Sequence, residues 1–321
     1  MWQVLSMKRF RLLLPFFVLM MVGCAKQPAA VERPSFSGDS AYAYVARQMA
    51  FGPRVPNSQA HLDCAVWLIQ QLRSCGAEVD LQKGTVTNYA GRDQQVMNII
   101  AHFPSRTAKA AAPLLLCAHY DTRPWCDEEE LYEDRAYNVP GANDGASGVG
   151  VLLEVARQLS MDSTHQSIDI VFFDCEDMGT PRSYTGIQRE NTWCLGSQLF
   201  ATHNVTKYRY GILLDMVGSP DAIFPREYYS IQYAENYQEL IWRAARKLGY
   251  SRYFVDNTAY PIMDDHYYLN LVGIPCVDII HYDAKTATGF ASWWHTREDD
   301  MRNISTATLQ AVGEVVMEVV K

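Results

Sequence analysis

The residues best suited to chemistry follow a short apolar run at 168–173. Asp174, Glu176 and Asp177 stand within four positions directly after this run. Its β-branched and aromatic residues are grouped without regular alternation, which is typical of a strand buried on both faces of a mostly parallel sheet. Three carboxylates at the carboxyl end of such a strand repel one another unless a cation or a proton compensates their charge. The stretch therefore indicates half of a metal site with a general base beside it, and the alternative is a solvated acidic turn.

Further acids and histidines stand at the ends of other predicted strands. Catalytic zinc takes three protein ligands from His, Asp and Glu and keeps one coordination position open. The candidate ligands are His119, Asp121, Asp144, Asp174, Glu176, Asp177, Asp215 and His295. Taken singly, each has a structural alternative: Asp144 can cap the helix that follows it, His119 can be a hydrogen-bonded core histidine, and Asp215 can be a strand-end turn residue. Their joint order along the chain favours a metal site.

Strands alternate with helices along the chain, and these elements would position the candidate residues. A Ser305 cap begins the last helix, and helical periodicity is also present at 39–49, 58–73, 149–159 and 237–248. Extended runs lie at 78–86, 96–103, 114–119, 168–173, 208–217 and 275–280. The alternation predicts an α/β fold with three layers, α/β/α, around a central mixed, mostly parallel sheet.

The amino-terminal segment is typical of a secretory signal that ends at a lipid attachment site. Lys8, Arg9 and Arg11 precede an apolar run at 12–22, which leads into Gly23 and Cys24. The alternative is a transmembrane anchor, but the run is shorter than the ~20 residues that a spanning helix needs. We expect a lipoprotein signal peptide at 1–23, acylation of Cys24, a flexible tether at 24–38 and a single catalytic α/β domain at 39–321. The domain would be periplasmic and held to a bacterial membrane by its lipid alone.

Composition narrows the class of partner. The net charge is −8 and no basic cluster is present, which argues against nucleic acid as a partner and favours small or neutral to cationic ones. Hydrophobic residues make up 48% of the chain, which is enough for a substantial core. The cysteines other than Cys24 lack metal-type spacing. Because Cys117 and Cys276 lie in apolar runs, most are expected to be small buried hydrophobes, and any disulfide pairing stays unassigned.

The order of the motifs resembles a known family. From the amino end they are H-x-D, P-G-A-N-D-G-A-S-G, F-F-D-x-E-D, L-L-D and W-H-T. This order, which covers about 52–300, resembles the zinc-dependent exopeptidase family of co-catalytic aminopeptidases and glutaminyl cyclases. The closer resemblance is to the glutaminyl cyclases, and it rests on F-G-P-R-V-P-N-S, C-A-H-Y-D-T, L-L-D-M-V-G, M-D-D-H and Trp294-His295-Thr296. The resemblance implies a zinc-dependent exopeptidase-like fold.

The resemblance also implies roles for individual residues. The zinc ligands would be Asp144, Asp177 and His295, with one Zn²⁺ per chain. Asp177 stands where the animal cyclases have Glu, and it remains an oxygen ligand suited to zinc. Ala118 stands where they have a disulfide cysteine, so that bridge is absent. The remaining assignments are Glu176 as general acid/base, Asp215 and Asp264 as acids that hydrogen-bond around it, and Trp193, Phe290 and Trp294 as aromatic walls of the substrate pocket.

The implied activity is that of a glutaminyl-peptide cyclotransferase, an acyltransferase. It would convert the N-terminal glutamine of peptides and proteins to pyroglutamate and release ammonia. The alternative is a two-zinc aminopeptidase of the same fold, in which His119 and Asp215 would bind a second metal and Asp144 would bridge the two ions. We expect His119 and Asp215 to lie close to the single zinc without binding it.

Overall fold

A six-stranded mixed sheet forms the centre of the fold. The part of the chain that the computed structural model describes contains the strands β1 (Glu78–Thr87), β2 (Asp93–Phe103), β3 (Leu114–His119), β4 (Ile168–Phe173), β5 (Gly211–Asp215), β6 (Phe224–Arg226), β7 (Phe254–Thr258) and β8 (Cys276–Ile280). The central sheet has the order β1-β2-β4-β3-β5-β8. β1 and β2 pair in antiparallel fashion, as do β2 and β4, whereas β4, β3, β5 and β8 run parallel. β6 and β7 form a separate parallel pair.

Helices cover both faces of this sheet. They are α1 (Gly38–Met49), α2 (Gln59–Ser74), α3 (Ala146–Met161), α4 (Leu195–His203), α5 (Tyr228–Leu248), α6 (Asp265–Leu271) and α7 (Thr306–Val320). The apolar residues of α1, α2, α3, α5 and α7 join one core cluster, and those of α4 and α6 join a second cluster on the opposite face. The predicted three-layer α/β/α architecture is confirmed.

The parallel strands are mostly apolar because both of their faces are covered; the exceptions inside them are the buried Asp169 of β4 and Asp278 of β8. In β3, Leu114 and Leu116 belong to the first core cluster, whereas Leu115 and Cys117 belong to the second. Successive side chains of a strand point to opposite faces, so a strand between two helical layers needs apolar residues at every position. All six residues of β3 are buried. The polar residues of the candidate site therefore lie at or after the carboxyl ends of these strands.

The structure also contains elements that the sequence analysis did not predict. β6, β7 and α6 are 3, 5 and 7 residues long, too short for a clear periodicity. α5 begins at Tyr228, nine residues before the predicted start, because Glu227 caps it and accepts the backbone N–H groups of Tyr229 and Ser230. The helix is irregular at Ala234, where a non-helical backbone interrupts the pattern.

The structure describes residues 1–2, 35–105, 111–162 and 165–320. Residues 33–321 form one compact unit that contains the site, and the other unit, 1–32, falls almost entirely outside the described residues, as does Cys24. Gly38 donates its N–H to Gln310, and the ring of Phe36 lies against Gly313, so packing begins before the expected boundary at 39. None of the helices described is long and apolar enough to cross a bilayer. The cysteines from 64 to 276 are unpaired thiols.

Candidate functional site

A cavity of ≈ 440 Å³ opens at the carboxyl ends of β4, β5 and β8. Its lining includes every residue predicted for the metal, the general acid/base and the aromatic walls: Asp144, Glu176, Asp177, Trp193, Asp215, Asp264, Phe290, Trp294 and His295. These residues come from six separate segments. Parallel strands bring their carboxyl ends to one edge of the sheet, so the loops that follow them can meet there.

Asp144, Asp177 and His295 form a compact group of potential ligands. His295 Nε2 lies 3.2 Å from Asp177 Oδ1 and 3.4 Å from Asp144 Oδ2. One donor atom from each residue lies within 4.8 Å of the others, and all three side chains are buried. Both carboxylate oxygens of Asp177 lack a hydrogen-bond partner among the residues the structure describes. A buried carboxylate without donors is costly, so this set of two carboxylates and one imidazole fits a zinc ion.

The charge balance of the site points the same way. Burial alone would lower the pKa of His295, but the charge of Asp177 and contacts with Asp127 and Asp144 raise it to about 10. Burial likewise opposes charge on His119, yet its carboxylate neighbours raise its pKa well above the usual value. The surrounding carboxylates therefore stabilise a positive charge at the centre of the group. Protons on the histidines can supply it, and so can a divalent cation.

Two neighbouring residues position the candidate ligand His295. Arg123 donates from Nε and Nη2 to the two carboxylate oxygens of Asp127, at 2.8 and 2.6 Å. Asp127 Oδ1 lies 3.6 Å from His295 Nδ1. A carboxylate behind a ligating imidazole fixes the orientation of the ring and leaves the other nitrogen for the metal. Arg123 also donates to the backbone oxygen of Asp177, so one guanidinium steadies two of the three candidate ligands.

Backbone hydrogen bonds hold the two loops that carry the candidate carboxylates. Asp121 accepts the N–H groups of Glu176 and Asp177, at 3.1 and 3.2 Å, and so shapes the turn after β4. Asp299 accepts the N–H groups of Asn143 and Asp144, at 2.8 and 3.1 Å. Asp121 was a candidate ligand, and its position instead supports the turn beneath the site.

Glu176 is buried at the floor of the cavity, and its closest polar partner is a thiol. Cys194 Sγ lies 3.2 Å from Glu176 Oε1, and the Cys194 N–H donates to the Glu176 backbone oxygen at 2.7 Å. Burial raises the pKa of the Glu176 carboxyl well above its ordinary value, and the charge of Asp177 raises it further. A carboxyl with a raised pKa can exchange a proton with a reactant near neutral pH.

Asp215 and Asp264 lie beside this carboxyl but differ from expectation in their hydrogen bonds. Asp215 Oδ1 lies 3.1 Å from His119 Nε2, and the same nitrogen lies 3.0 Å from Asp144 Oδ1. Asp264 accepts the N–H of Asp265, and no residue of the described chain donates to its second oxygen. Burial and the charge of Asp215 raise the pKa of Asp264 to about 7. The three acids are therefore coupled through charge, and the hydrogen bonds expected around Glu176 are not present between them in the described residues.

Aromatic rings flank the candidate ligand His295. The Trp294 ring stacks on the imidazole with centroids 3.6 Å apart, and Phe290 packs on Trp294 at 4.7 Å. Trp193 lies parallel to the imidazole at 6.2 Å. The indole of Trp193 approaches Gly179 so closely that any Cβ there would clash, and Arg123 lies 4.5 Å from its ring. Trp193 and Trp294 both line the cavity, whereas Trp293 does not.

Several non-glycine residues next to the site have positive φ angles. They are Cys175 (56°), Cys194 (55°), Met216 (48°) and His295 itself (55°). Such backbone is unfavourable for residues with a Cβ and is held in place by surrounding structure, most often at functional sites. The sharp turns at these positions bring the side chains of Glu176, Asp215 and His295 into the same cavity.

Another candidate ligand from the sequence, Asp174, faces away from the cavity. Its carboxylate lies 2.9 Å from His61 Nε2 and accepts the N–H of Met97 at 2.8 Å, so it ties β4 to α2 and β2. Conversely, sequence reasoning did not identify Cys194, Asp127 or the outer lining residue Tyr260 as parts of the site. The run Asp127-Glu128-Glu129-Glu130 gave an acidic signal, but nothing in it singles out the residue that faces the histidine.

A family model described as "Peptidase family M28" matches residues 98–320. The aminopeptidase YwaD of Bacillus subtilis is 26% identical over 243 residues, which cover 73% of this chain; the chain spans 46% of the length of that relative.

Solved structures are similar over most of the chain. A Zn-dependent exopeptidase from Parabacteroides distasonis has a TM-score of 0.86 and 44% identity, covering 90% of this chain and 99% of that one. The glutaminyl cyclase of Tannerella forsythia has a TM-score of 0.85 and 46% identity, covering 89% of this chain and 99% of that one.

Proposed function

The chain belongs to peptidase family M28, and we propose that within this family it acts as a glutaminyl-peptide cyclotransferase. The reaction joins the α-amine of an N-terminal glutamine to its own γ-carbon and releases ammonia. The observation that carries the proposal is the buried Glu176, whose pKa is raised by burial and by the charge of Asp177, in an aromatic-walled cavity beside Asp144, Asp177 and His295. The 46% identity with a bacterial glutaminyl cyclase supports it.

In the proposed reaction, different residues of this chain bind the metal, transfer the proton and hold the substrate. Asp144, Asp177 and His295 would hold zinc, which when bound supplies a Lewis acid for the substrate's γ-carbonyl. Glu176 accepts a proton from the α-amine as its nitrogen attacks the γ-carbon, and returns that proton to the departing amide nitrogen as ammonia leaves. Phe290 and Trp294 hold the glutamyl side chain and exclude water, which the reaction does not consume.

A single zinc ion per chain is part of this proposal. Cyclisation uses the substrate's own amine as nucleophile, so it does not need the attacking water for which hydrolases commonly use a pair of metal ions. In the proposed enzyme, His119 and Asp215 stay unligated and lie in contact at 3.1 Å. The charge of Asp264 helps to keep the pKa of Glu176 raised, and Asp215 in turn raises the pKa of Asp264.

One observation favours a second candidate function. Donor atoms of His119, Asp144 and Asp215 also lie within 4.8 Å of one another, which is the arrangement that a second metal of a two-zinc aminopeptidase needs. The two candidates differ in product. A cyclase releases ammonia from a Gln-initiated peptide, whereas an aminopeptidase releases a free amino acid.

The deciding experiment follows both products from the same peptides. Purified protein is given one peptide each beginning with Gln, Leu and Ala, and ammonia and free amino acids are quantified. We expect ammonia from the Gln peptide alone, and the mass of that peptide should fall by ~17 Da, the mass of ammonia. No free amino acid should be released from any of the three peptides. Release of N-terminal Leu or Ala would replace the cyclase proposal with the aminopeptidase.

We also propose where the enzyme acts and on what. The basic, apolar and Gly23-Cys24 segments support a lipoprotein signal at 1–23, acylation of Cys24 and a periplasmic catalytic domain anchored to a bacterial membrane by lipid alone. The substrates would be peptides and proteins with N-terminal glutamine. The net charge of −8 supports the expectation that the enzyme does not act on nucleic acid.

A further inference from the structure

The outer part of the cavity is built differently from its floor. The floor carries carboxylates, but Tyr260, Met263 and Tyr282 line the outer part and are uncharged. Tyr260 is 72% exposed and Met263 is 50% exposed, although both are large apolar side chains. A cavity of ≈ 440 Å³ falls in the range, ~300–1,000 Å³, of pockets that enclose a drug-sized ligand, which is larger than one cyclising side chain. The outer part is therefore free for other atoms of the substrate.

A continuous series of aromatic rings connects this rim with the floor. Tyr260 meets Tyr282 edge to face at 6.4 Å, and Tyr282 meets Phe290 edge to face at 6.1 Å. Phe290 in turn packs on Trp294, which stacks on His295. Edge-to-face pairs at these distances stabilise one another and order the rings. The exposed Tyr260 is thus the outer end of the same wall that lines the floor.

The rim is held in position by buried contacts. Glu227, which caps α5, accepts the N–H of Ile262 at 3.1 Å, and the N–H of Ala259 donates to the backbone of Arg226 at 2.9 Å. On the other side, a Cβ at Gly289 would lie 2.3 Å from the Tyr282 ring, so glycine allows this ring to pack against the loop. A preformed apolar surface binds a ligand without a large ordering cost.

We propose that Tyr260, Met263 and Tyr282 form a subsite for the residue that follows the N-terminal glutamine, and that this subsite prefers an aromatic or large aliphatic side chain. The inference rests on the proposed cyclase function. The cyclising residue has its reacting atoms at Glu176 on the floor, so the peptide chain attached to it leaves through the rim. When an uncharged aromatic rim covers an apolar side chain, the burial of apolar surface makes the free energy of binding more favourable.

Two matched peptides test the preference. The value of kcat/KM is measured for Gln-Phe-Ala-amide and Gln-Gly-Ala-amide with the wild-type enzyme. We expect the phenylalanine peptide to be favoured by about tenfold, which corresponds to partial burial of one aromatic side chain, and we expect the difference to lie in KM. Equal kcat/KM values for two peptides that both cyclise would overturn the subsite and leave the cyclase function standing. If neither peptide releases ammonia, both proposals fail.

Variants identify the residues responsible. For Tyr260→Ala combined with Met263→Ala, we expect kcat/KM to fall about tenfold with the phenylalanine peptide and less than about threefold with the glycine peptide. Tyr260→Phe should keep the preference because the ring, not the hydroxyl, makes the contact. Tyr233→Ala, which removes an exposed tyrosine of α5 outside the cavity, is the control and should match wild type. An equal loss on both peptides, or a changed oligomeric state of the double variant in size-exclusion chromatography, would overturn the subsite.

Discussion

Glu176 combines two properties that the proposed reaction needs in one side chain. It is buried beside Asp177, which raises its pKa, and it lines the cavity that would receive the substrate's amine. Glu176→Gln keeps the shape of the side chain and removes its ability to accept a proton. We expect cyclisation to fall by ~10²–10⁴ with zinc content unchanged, as measured by steady-state kinetics and metal analysis of the same sample. Glu130→Gln, at an exposed position, is the control, and activity within about tenfold of wild type in Glu176→Gln would remove Glu176 from this role.

Trp294 shapes the pocket without supplying an electron pair to the metal. Its ring lies on the His295 imidazole at 3.6 Å and forms part of the cavity wall. For Trp294→Ala we expect a higher KM and a lower kcat with zinc still bound, since the substrate loses a contact surface and the histidine a packing neighbour. Kinetic constants equal to those of wild type would assign Trp294 to packing alone. Loss of zinc would instead show that the ring is needed to hold His295.

The charged residues of this site could be predicted from the sequence, but some of their immediate neighbours could not. Asp144, Asp177 and His295 each belong to a motif with a recognisable order. Cys194 and Tyr260 carry no such signal, because their importance comes from a left-handed backbone at one and a loop position at the other. A side chain that acts through its place in three dimensions has no sequence period that would predict it.

At the scale of elements, the strands of the parallel sheet were the most predictable part of the fold. The observed β3 has the same bounds as the predicted run at 114–119, because complete burial on both faces produces an uninterrupted apolar signal. β6 and β7 could not be predicted in this way. They form a short pair at the side of the sheet, and their residues, from Phe224 and from Phe254, show no alternation of polar and apolar side chains.

The junction between β2 and β4 contains a histidine whose protonation contributes to stability. His102 Nδ1 lies 2.8 Å from Asp169 Oδ1, and this hydrogen bond raises the pKa of His102 above 6.5. Because the folded state favours the proton, the stabilisation is fully present below about pH 6.5, the unfolded value, and is lost as pH rises through the folded pKa. His102 is 34% exposed, so solvent screening limits the contribution to ~0.2–1 kcal/mol.

Urea unfolding at a series of pH values measures this contribution. The free energy of unfolding of wild type minus that of His102→Gln should be largest at acidic pH and should decrease as pH rises above about 6.5. His203→Gln, the same substitution at the exposed end of α4, is the control. A difference that is constant with pH would mean that His102 acts through packing alone.

At the scale of the whole molecule, the proposed anchor should be separable from catalysis. The unit at 33–321 contains the complete cavity, and Cys24 lies outside it. We expect Cys24→Ser to release the enzyme from the membrane fraction without a change in kcat/KM, since the proposed tether would transmit no strain to the site. Fractionation followed by a cyclase assay measures both properties. If the variant stayed in the membrane fraction, a spanning segment would replace the lipid anchor.

Zinc binding connects the site with the stability of the whole catalytic unit. Without the metal, no described residue donates a hydrogen bond to the buried oxygens of Asp177, and only His295 and Arg123, at 3.2 and 3.6 Å, balance their charge. The apo protein should therefore unfold at a lower temperature than the zinc form. A ligand present at 100 times its Kd stabilises the folded state by about 2.7 kcal/mol, which is several degrees in Tm for a domain of this size. We expect the Tm of the apo protein to rise on titration with zinc and to reach its plateau at one equivalent.

The matched variant for this titration is His119→Gln, which removes the histidine of the alternative metal group while keeping Asp144, Asp177 and His295. In a one-zinc enzyme the variant should reach its plateau at one equivalent, as wild type does, because His119 is not a ligand. In a two-zinc enzyme wild type would need two equivalents, and the variant would lose the second because its group of His119, Asp144 and Asp215 is broken. The second outcome, together with release of N-terminal amino acids, would assign the chain to the aminopeptidases of its family, since paired metals activate the water that peptide hydrolysis requires.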